Sequence, residues 1–325
     1  IGWIGSEQFV VPTRRALEPR HLEALAHPAE FGFEIDEFTV VRPTGGGEAP
    51  LILKAALLSP SAQPGAAEKT RRMRDRLSQS GHSLPDWGTG RGTIVMLHGR
   101  SGIKEDAFPV AERFVAAGFR CLIYDARAHG QSGGRFSTFG AEEVDDLHAV
   151  IDTALACYGR ETLGPLQGFG ISLGAAVTLQ ALPEEPRLRS AVVVAPFAEL
   201  PPIADRAVSN VISPKMPRFL SDLVMALGGW RARFEPRSVR PIDSAAKIGV
   251  PVMVVHGDED VVIPFDDGRS IYEALPSSEK RWRPVEGGAH HNVLAKGNDE
   301  LYQDMVEFYL EQLSGPADAS TKGGT

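Results

Sequence analysis

Short apolar runs alternate along the chain with segments whose apolar residues recur at helical spacing. That rhythm argues for an α/β architecture, a mostly parallel sheet with helices on both faces. Residues 33–42 and 51–58 read as an opening strand pair, and further strands are expected near 93–98, 120–125, 165–170, 190–195, 250–255 and 280–285. Helices are expected near 104–117, 141–157, 173–182, 266–275 and 299–313. Residues 60–91, rich in Pro, Gly and Arg, read as a polar insertion with a short solvated helix at Glu68–Leu77. The pattern divides the chain into an N-terminal leader over 1–30, an α/β domain over 31–313 and a tail over 314–325. That tail is rich in Gly, Ala, Ser and Thr and is expected to be disordered.

Three strand ends carry residues with chemistry. The run Leu166-Gln-Gly-Phe-Gly-Ile-Ser-Leu-Gly-Ala-Ala176 ends an apolar strand in Gly170-x-Ser172-x-Gly174 and continues in small residues. This is the strand–turn–helix pattern of a nucleophile elbow, where glycines flank a serine because side chains would collide as the backbone doubles back. A second match, Gly130-Gln-Ser132-Gly-Gly134, is followed by Arg135-Phe-Ser and no helix of small residues, so Ser132 reads as a loop residue. A serine hydroxyl needs an imidazole to take its proton and an acid to set the imidazole's tautomer. Asp260, after the strand ending in His256-Gly257, is the expected acid, with Asp258, Glu259 or Glu199 as alternatives. The base is expected in Glu286-Gly-Gly-Ala-His-His-Asn292, where His291 is preferred to His290. Backbone N–H groups of Leu173 and Arg100 are expected to form the oxyanion hole, with Ser101 an alternative to Arg100 and His98 a brace of that loop. The Arg100 side chain is expected either at the site mouth, pairing anionic substrates, or in an ion pair with Glu105 or Asp106.

The interval 198–245 is longer than an ordinary αβ connection and carries helical apolar spacing in Phe219-Leu-Ser-Asp-Leu-Val-Met-Ala-Leu227. It reads as a small helical cap over Ser172, the alternative being an ordinary helix packed on the sheet. In the cap reading Met216, Phe219, Leu223 and Trp230 line an apolar substrate pocket.

The segments Leu97-His-Gly99, Tyr124-Asp-Ala-Arg-Ala-His-Gly-Gln-Ser132, Gly168-Phe-Gly-Ile-Ser-Leu-Gly174, His256-Gly-Asp-Glu-Asp260 and Gly288-Ala-His-His-Asn292 together resemble the α/β-hydrolase superfamily. Within it the chain is most similar to bacterial hydrolases of the Bem46 and ABHD13-like type, including Arg14-Arg-Ala-Leu-Glu-Pro-Arg-His21 and His27-Pro-Ala-Glu-Phe-Gly32. Arg100 departs from the smaller or neutral residue of many such relatives. The resemblance implies a cofactor-independent, esterase-like serine hydrolase acting on a small-molecule ester through an acyl-enzyme. Amide or thioester cleavage needs the same residues, and a non-catalytic ligand-binding protein on this fold is the rival from another class.

Composition narrows the partners. At 325 residues and 42% hydrophobic content the chain can bury one large core. A net charge of −8 gives no support for nucleic-acid binding and argues against attraction to anionic membranes. Cys121 and Cys157 are expected to be small buried hydrophobes and not a disulfide, and no cluster has metal-ligand spacing. No apolar run is long enough to span a bilayer. A cytoplasmic location is expected, or a membrane-anchored one if an apolar leader precedes Ile1.

Overall fold

Parallel strands buried on both faces read as continuous apolar runs, and such runs build the centre of the sheet. In this computed structural model residues 2–45, 49–63, 65–212 and 218–313 are described, with the backbone alone for 2–4 and 208–212. The strands are β1 (Phe33–Arg42), β2 (Leu51–Pro60), β3 (Gly92–Leu97), β4 (Phe119–Tyr124), β5 (Leu166–Ile171), β6 (Leu188–Val194), β7 (Val252–Gly257) and β8 (Arg281–Val285). They form one sheet in the order β1-β2-β4-β3-β5-β6-β7-β8. The β1/β2 and β2/β4 pairs are antiparallel, and every pairing from β4 to β8 is parallel.

The helices are α1 (Gly2–Val10), α2 (Pro19–Ala26), α3 (Glu68–Gln79), α4 (Phe108–Ala116), α5 (Glu143–Leu163), α6 (Leu173–Ala181), α7 (Leu200–Ile212), α8 (Arg218–Ala232), α9 (Pro241–Ala245), α10 (Phe265–Ala274) and α11 (Val293–Leu313). Alternation along β3 sends Ile94 and Met96 to a core shared with α3, α4 and α11, and Val95 and Leu97 to one shared with α5, α6, α9 and α10. Phe114 of α4 is fully buried, edge-on to Phe169 at 5.6 Å and to Tyr309 at 5.5 Å. The Tyr309 hydroxyl donates to the Gly168 carbonyl at 2.6 Å, so this aromatic core leaves no polar tip unpaired there.

From β3 the chain crosses to β4 on one side and later returns to β5 on the other. The loops leaving β3 and β5 therefore diverge and open a crevice at the carboxyl ends of the strands, where ligands bind in open α/β sheets.

Several sequence expectations need correction. The expected solvated helix at Glu68–Leu77 is α3, but Thr70, Met73 and Leu77 are buried against α4, so its charge run is only the outer face. The last helix starts at Val293 and kinks at Asn298, where φ is 47°. Cys121 is buried as expected, whereas Cys157 is exposed; neither forms a disulfide. The leader contributes α1, packed against α8, and α2, neither of which the apolar pattern announced. The tail from 314 onward lies outside the described residues.

Candidate active site

At the end of β5 the backbone turns sharply into α6, and Ser172 sits on the turn with φ 53° and ψ −113°. A non-glycine residue there is strained by on the order of 1–3 kcal/mol and is held by its surroundings. The Ser172 N–H donates to the Val194 carbonyl of neighbouring β6 at 2.8 Å. A Cβ on Gly170 would lie 2.3 Å from the Gly174 carbonyl oxygen, and one on Gly174 would lie 2.3 Å from that of Leu97. Neither glycine has a positive φ. They are required by close approach, which seats α6 directly on the end of β3.

Asp260 is held by the turn after β7. Its Oδ1 accepts the N–H groups of Val262 and Ile263, both at 2.9 Å, and its Oδ2 lies 2.7 Å from His290 Nδ1. His256 Nε2 stands 3.5 Å behind the same oxygen. Burial of Asp260 works to raise its pKa. The hydrogen bonds from His256, His290 and the Ile263 N–H outweigh that burial and hold the carboxyl well below the usual carboxylate range.

His290, and not His291, reaches the serine. Its Nε2 is 3.0 Å from Ser172 Oγ and its Nδ1 faces Asp260. An ionised Asp260 requires a proton on Nδ1, which leaves Nε2 free to accept the serine proton. The expectation for His291 is corrected by the turn that carries the pair. Ala289 N–H donates to Asn292 Oδ1 at 2.8 Å and Asn292 N–H to the Ala289 carbonyl at 3.1 Å. That turn sends His290 inward, with its side chain 11% exposed, and leaves His291 exposed. The loop reaches β7 because Gly257 has no side chain, since a Cβ there would be 2.0 Å from the Gly288 oxygen.

The alternative acids have other duties. Asp258 accepts the Gly287 N–H at 2.7 Å, Glu259 is exposed, and Glu199 pairs with Arg240 at 2.8 Å. Ser132 is buried, donating to the Asp125 carbonyl and accepting the Lys54 N–H.

Leu173 is the first residue of α6, so its N–H has no intrahelical acceptor. Gly99 lies against Ser172 Cβ and brings the loop after β3 beside that serine, with Arg100 next in chain. His98 braces that loop. Its Nε2 accepts the Ala126 N–H at 3.0 Å, so Nδ1 carries the proton and donates to the Gly99 carbonyl at 2.8 Å. Burial pushes the His98 imidazole below its ordinary pKa, in keeping with this neutral form.

The Arg100 side chain takes neither expected course. Its Nη2 donates to the Gln8 carbonyl of α1 at 2.7 Å, and its guanidinium lies 5.2 Å over the Phe139 ring. Burial lowers its pKa to about 10. Glu105 is bonded to Lys104 at 2.5 Å, and Asp106 to Arg15 at 2.9 Å. Of the expected pocket residues, Met216 lies outside the described residues. Phe219, Leu223 and Trp230 are 65%, 44% and 70% exposed. Trp230 lines an open groove with Arg135, Phe136, Arg231 and Phe234, which includes none of Ser172, Asp260 and His290. These residues therefore do not converge on the serine in an enclosed pocket. His256 is the site residue that the sequence reading passed over; its signal is a His-Gly pair ending a buried strand, as in His98-Gly99. Among the described residues no group of three or more His, Cys, Asp or Glu is arranged to hold a metal ion.

The sheet order and the helices on its two faces are those of the α/β-hydrolase fold. Residues 88–240 match the serine aminopeptidase (S33) family. The chain is 29% identical to YqkD of Bacillus subtilis over 227 residues, covering 68% of this chain and 72% of that protein. It is 26% identical to a non-heme chloroperoxidase of Kitasatospora aureofaciens over 273 residues, covering 69% and 94% respectively. The structure is similar to the Pyrococcus furiosus esterase Pf2001 with a TM-score of 0.67 at 19% identity, covering 93% of this chain and 97% of that one.

Proposed function

We propose that the protein is a serine hydrolase that cleaves carboxylic esters through an acyl-enzyme, on a triad of Ser172, His290 and Asp260. The observation that carries the proposal is the chain of short contacts, Ser172 Oγ to His290 Nε2 at 3.0 Å and His290 Nδ1 to Asp260 Oδ2 at 2.7 Å. His290 takes the hydroxyl proton as Ser172 attacks the ester carbonyl. Asp260 holds the imidazole in its accepting tautomer and stabilises the imidazolium that forms. The Leu173 N–H, with that of Arg100, receives the developing oxyanion. The imidazolium then protonates the departing alcohol. A water, deprotonated by the same imidazole, attacks the acyl carbonyl, and the imidazolium returns that proton to Ser172 Oγ as the acid leaves. Every proton has a named carrier and no cofactor enters.

The reading extends to architecture and kinship. Residues 31–313 form the hydrolase domain, with 198–245, including α7 and α8, as its helical cap. Its relationship lies with Bem46 and ABHD13-like hydrolases, on the motifs already given. The structural similarity to an esterase supports ester chemistry, whereas the S33 family match over 88–240 favours a second reading, amide cleavage at an amino terminus. Both require the same triad, so substrate turnover decides. The test is a panel of p-nitrophenyl esters of increasing acyl length run beside aminoacyl-anilide and thioester probes. Labelling of Ser172 by a fluorophosphonate with ester turnover well above the others is expected. Failure to label Ser172 overturns the hydrolase reading, and faster anilide turnover overturns the ester assignment.

A further inference from the structure

An ionised carboxylate has about four lone-pair sites on its two oxygens. Asp260 uses two for the Val262 and Ile263 N–H groups on Oδ1 and one for His290 Nδ1 on Oδ2. The fourth polar group beside it is His256, a fully buried side chain with no part in the proton transfers. Its Nε2 lies 3.1 Å from the Ile263 carbonyl oxygen and 3.5 Å from Asp260 Oδ2. Its Nδ1 is buried and has no hydrogen-bond partner among the described residues, so a proton there would be left unsatisfied. The proton therefore sits on Nε2, where it has two acceptors in a three-centre bond, the Ile263 carbonyl nearer and Asp260 Oδ2 further.

The ring has no room to turn away. Gly268 of α10 lies against Nδ1, where a Cβ would stand 2.3 Å off, and Phe265 packs edge-on with 6.0 Å between ring centroids. The charged groups facing His256 are Asp260 and, from α10, Asp267, whose carboxylate accepts the Ala198 N–H at 3.0 Å. His290 in turn faces Asp260, Ser172 and the His291 ring, 5.5 Å away between centroids. A donor on Asp260 Oδ2 takes up part of the negative charge that would otherwise favour a protonated His290. Through the Ile263 carbonyl the same N–H closes, from behind, the turn whose backbone donors orient the carboxylate. His256 thus reaches the reacting groups without touching them.

We infer, on the triad reading above, that His256 is a positioning residue of the Ser172 site, acting through Asp260 to orient His290 and to loosen the hold of His290 on a proton. The test is an NMR titration of the histidines in the full chain, with steady-state kinetics alongside. In the wild-type chain the His256 Nε2–H resonance should move with the same midpoint as the His290 imidazole, because both N–H groups bond to one oxygen. His256→Phe keeps a ring of similar shape and removes the donor. It should raise the His290 midpoint by at least about half a pH unit, since Asp260 then carries its charge with one N–H fewer. It should also lower kcat for p-nitrophenyl butyrate about two- to tenfold, the worth of one hydrogen bond, with KM unchanged. His256→Gln, which can place an N–H where Nε2 stood, should bring both values back toward wild type. A wild-type His256 resonance that ignores the His290 titration, or a proton found on Nδ1, overturns the inference whether or not the variants fold. So does an unchanged His290 midpoint in a folded His256→Phe variant, or a His256→Gln variant that behaves as His256→Phe does. If the two resonances move together while the wild type turns over no ester, the hydrolase reading fails and the coupling through Asp260 stands.

Discussion

Replacing Asp260 by Asn tests the proposed triad with the least change in volume. The carboxylate uses both oxygens, Oδ1 for the Val262 and Ile263 N–H groups and Oδ2 for His290 Nδ1. An amide has one acceptor oxygen, so one of these sides is lost in either orientation. If the oxygen faces His290, the amide NH2 meets two backbone donors, each then left unsatisfied at about 1–3 kcal/mol. The other orientation keeps the backbone bonds and is preferred. It presents an N–H to His290 Nδ1 and so moves the imidazole proton to Nε2, where it faces Ser172 and blocks proton acceptance. In serine proteases the same change of tautomer lowers kcat by about 10⁴, which at 1.36 kcal/mol per decade is about 5 kcal/mol of lost transition-state stabilisation. The assay is steady-state hydrolysis of p-nitrophenyl butyrate with thermal denaturation alongside, since the fold should survive within a few degrees. A kcat within about tenfold of wild type would refute the role of Asp260.

His290→Ala should abolish ester turnover while His291→Ala keeps most of it, which parallel kinetics and labelling of Ser172 would show; the reverse ranking would contradict the turn at Ala289–Asn292. Arg100→Ala should lower turnover of neutral and anionic esters by the same factor, because the guanidinium is engaged by the Gln8 carbonyl; a loss confined to anionic esters in a paired assay would overturn this. Phe114→Ala should cost about 3–5 kcal/mol in denaturant unfolding, as it empties the aromatic packing around Phe169 and Tyr309. Asp260 has a depressed folded pKa, so its contribution to stability is full above an unfolded carboxyl pKa of about 4 and is lost as pH falls through the folded value. The melting-temperature difference between wild type and Asp260→Asn should therefore shrink on acidification below about pH 4, and a difference constant with pH would contradict the linkage.

What the sequence displays of this fold is what local physics controls. Strands buried on both faces need continuous apolar runs, so β3 to β7 stand out, and a sharp strand–helix turn needs small neighbours, so Ser172 stands out between Gly170 and Gly174. Asp260 follows from its place one turn beyond a buried strand. The choice between His290 and His291 does not follow, because adjacent residues in a loop point opposite ways and two hydrogen bonds of Asn292 decide which faces inward. The direction of the Arg100 side chain is equally hidden, since its partner is a main-chain carbonyl 92 residues away. Leu223 and Trp230 have the apolar character of pocket residues, and only the packing of α8 on α1 shows that they face outward.

The leader has a structural role that composition concealed. Besides the Gln8 carbonyl on Arg100, the Thr13 N–H donates to Ser101 Oγ at 3.2 Å and the Val10 carbonyl accepts the Ser137 N–H at 2.8 Å. Arg14 donates to the carbonyls of Gly130 and Gly134 at 2.6 and 3.1 Å. Ser101 has φ 59°, a left-handed conformation that costs a non-glycine residue about 1–2 kcal/mol. That strain lies one residue from a proposed oxyanion donor and persists only where neighbours enforce it. Here the neighbours are residues 8–14, which hold Arg100 and Ser101 from one side while Gly174 fixes Leu97 from the other. A boundary drawn at residue 30 from composition therefore separates the crevice from the backbone that supports it.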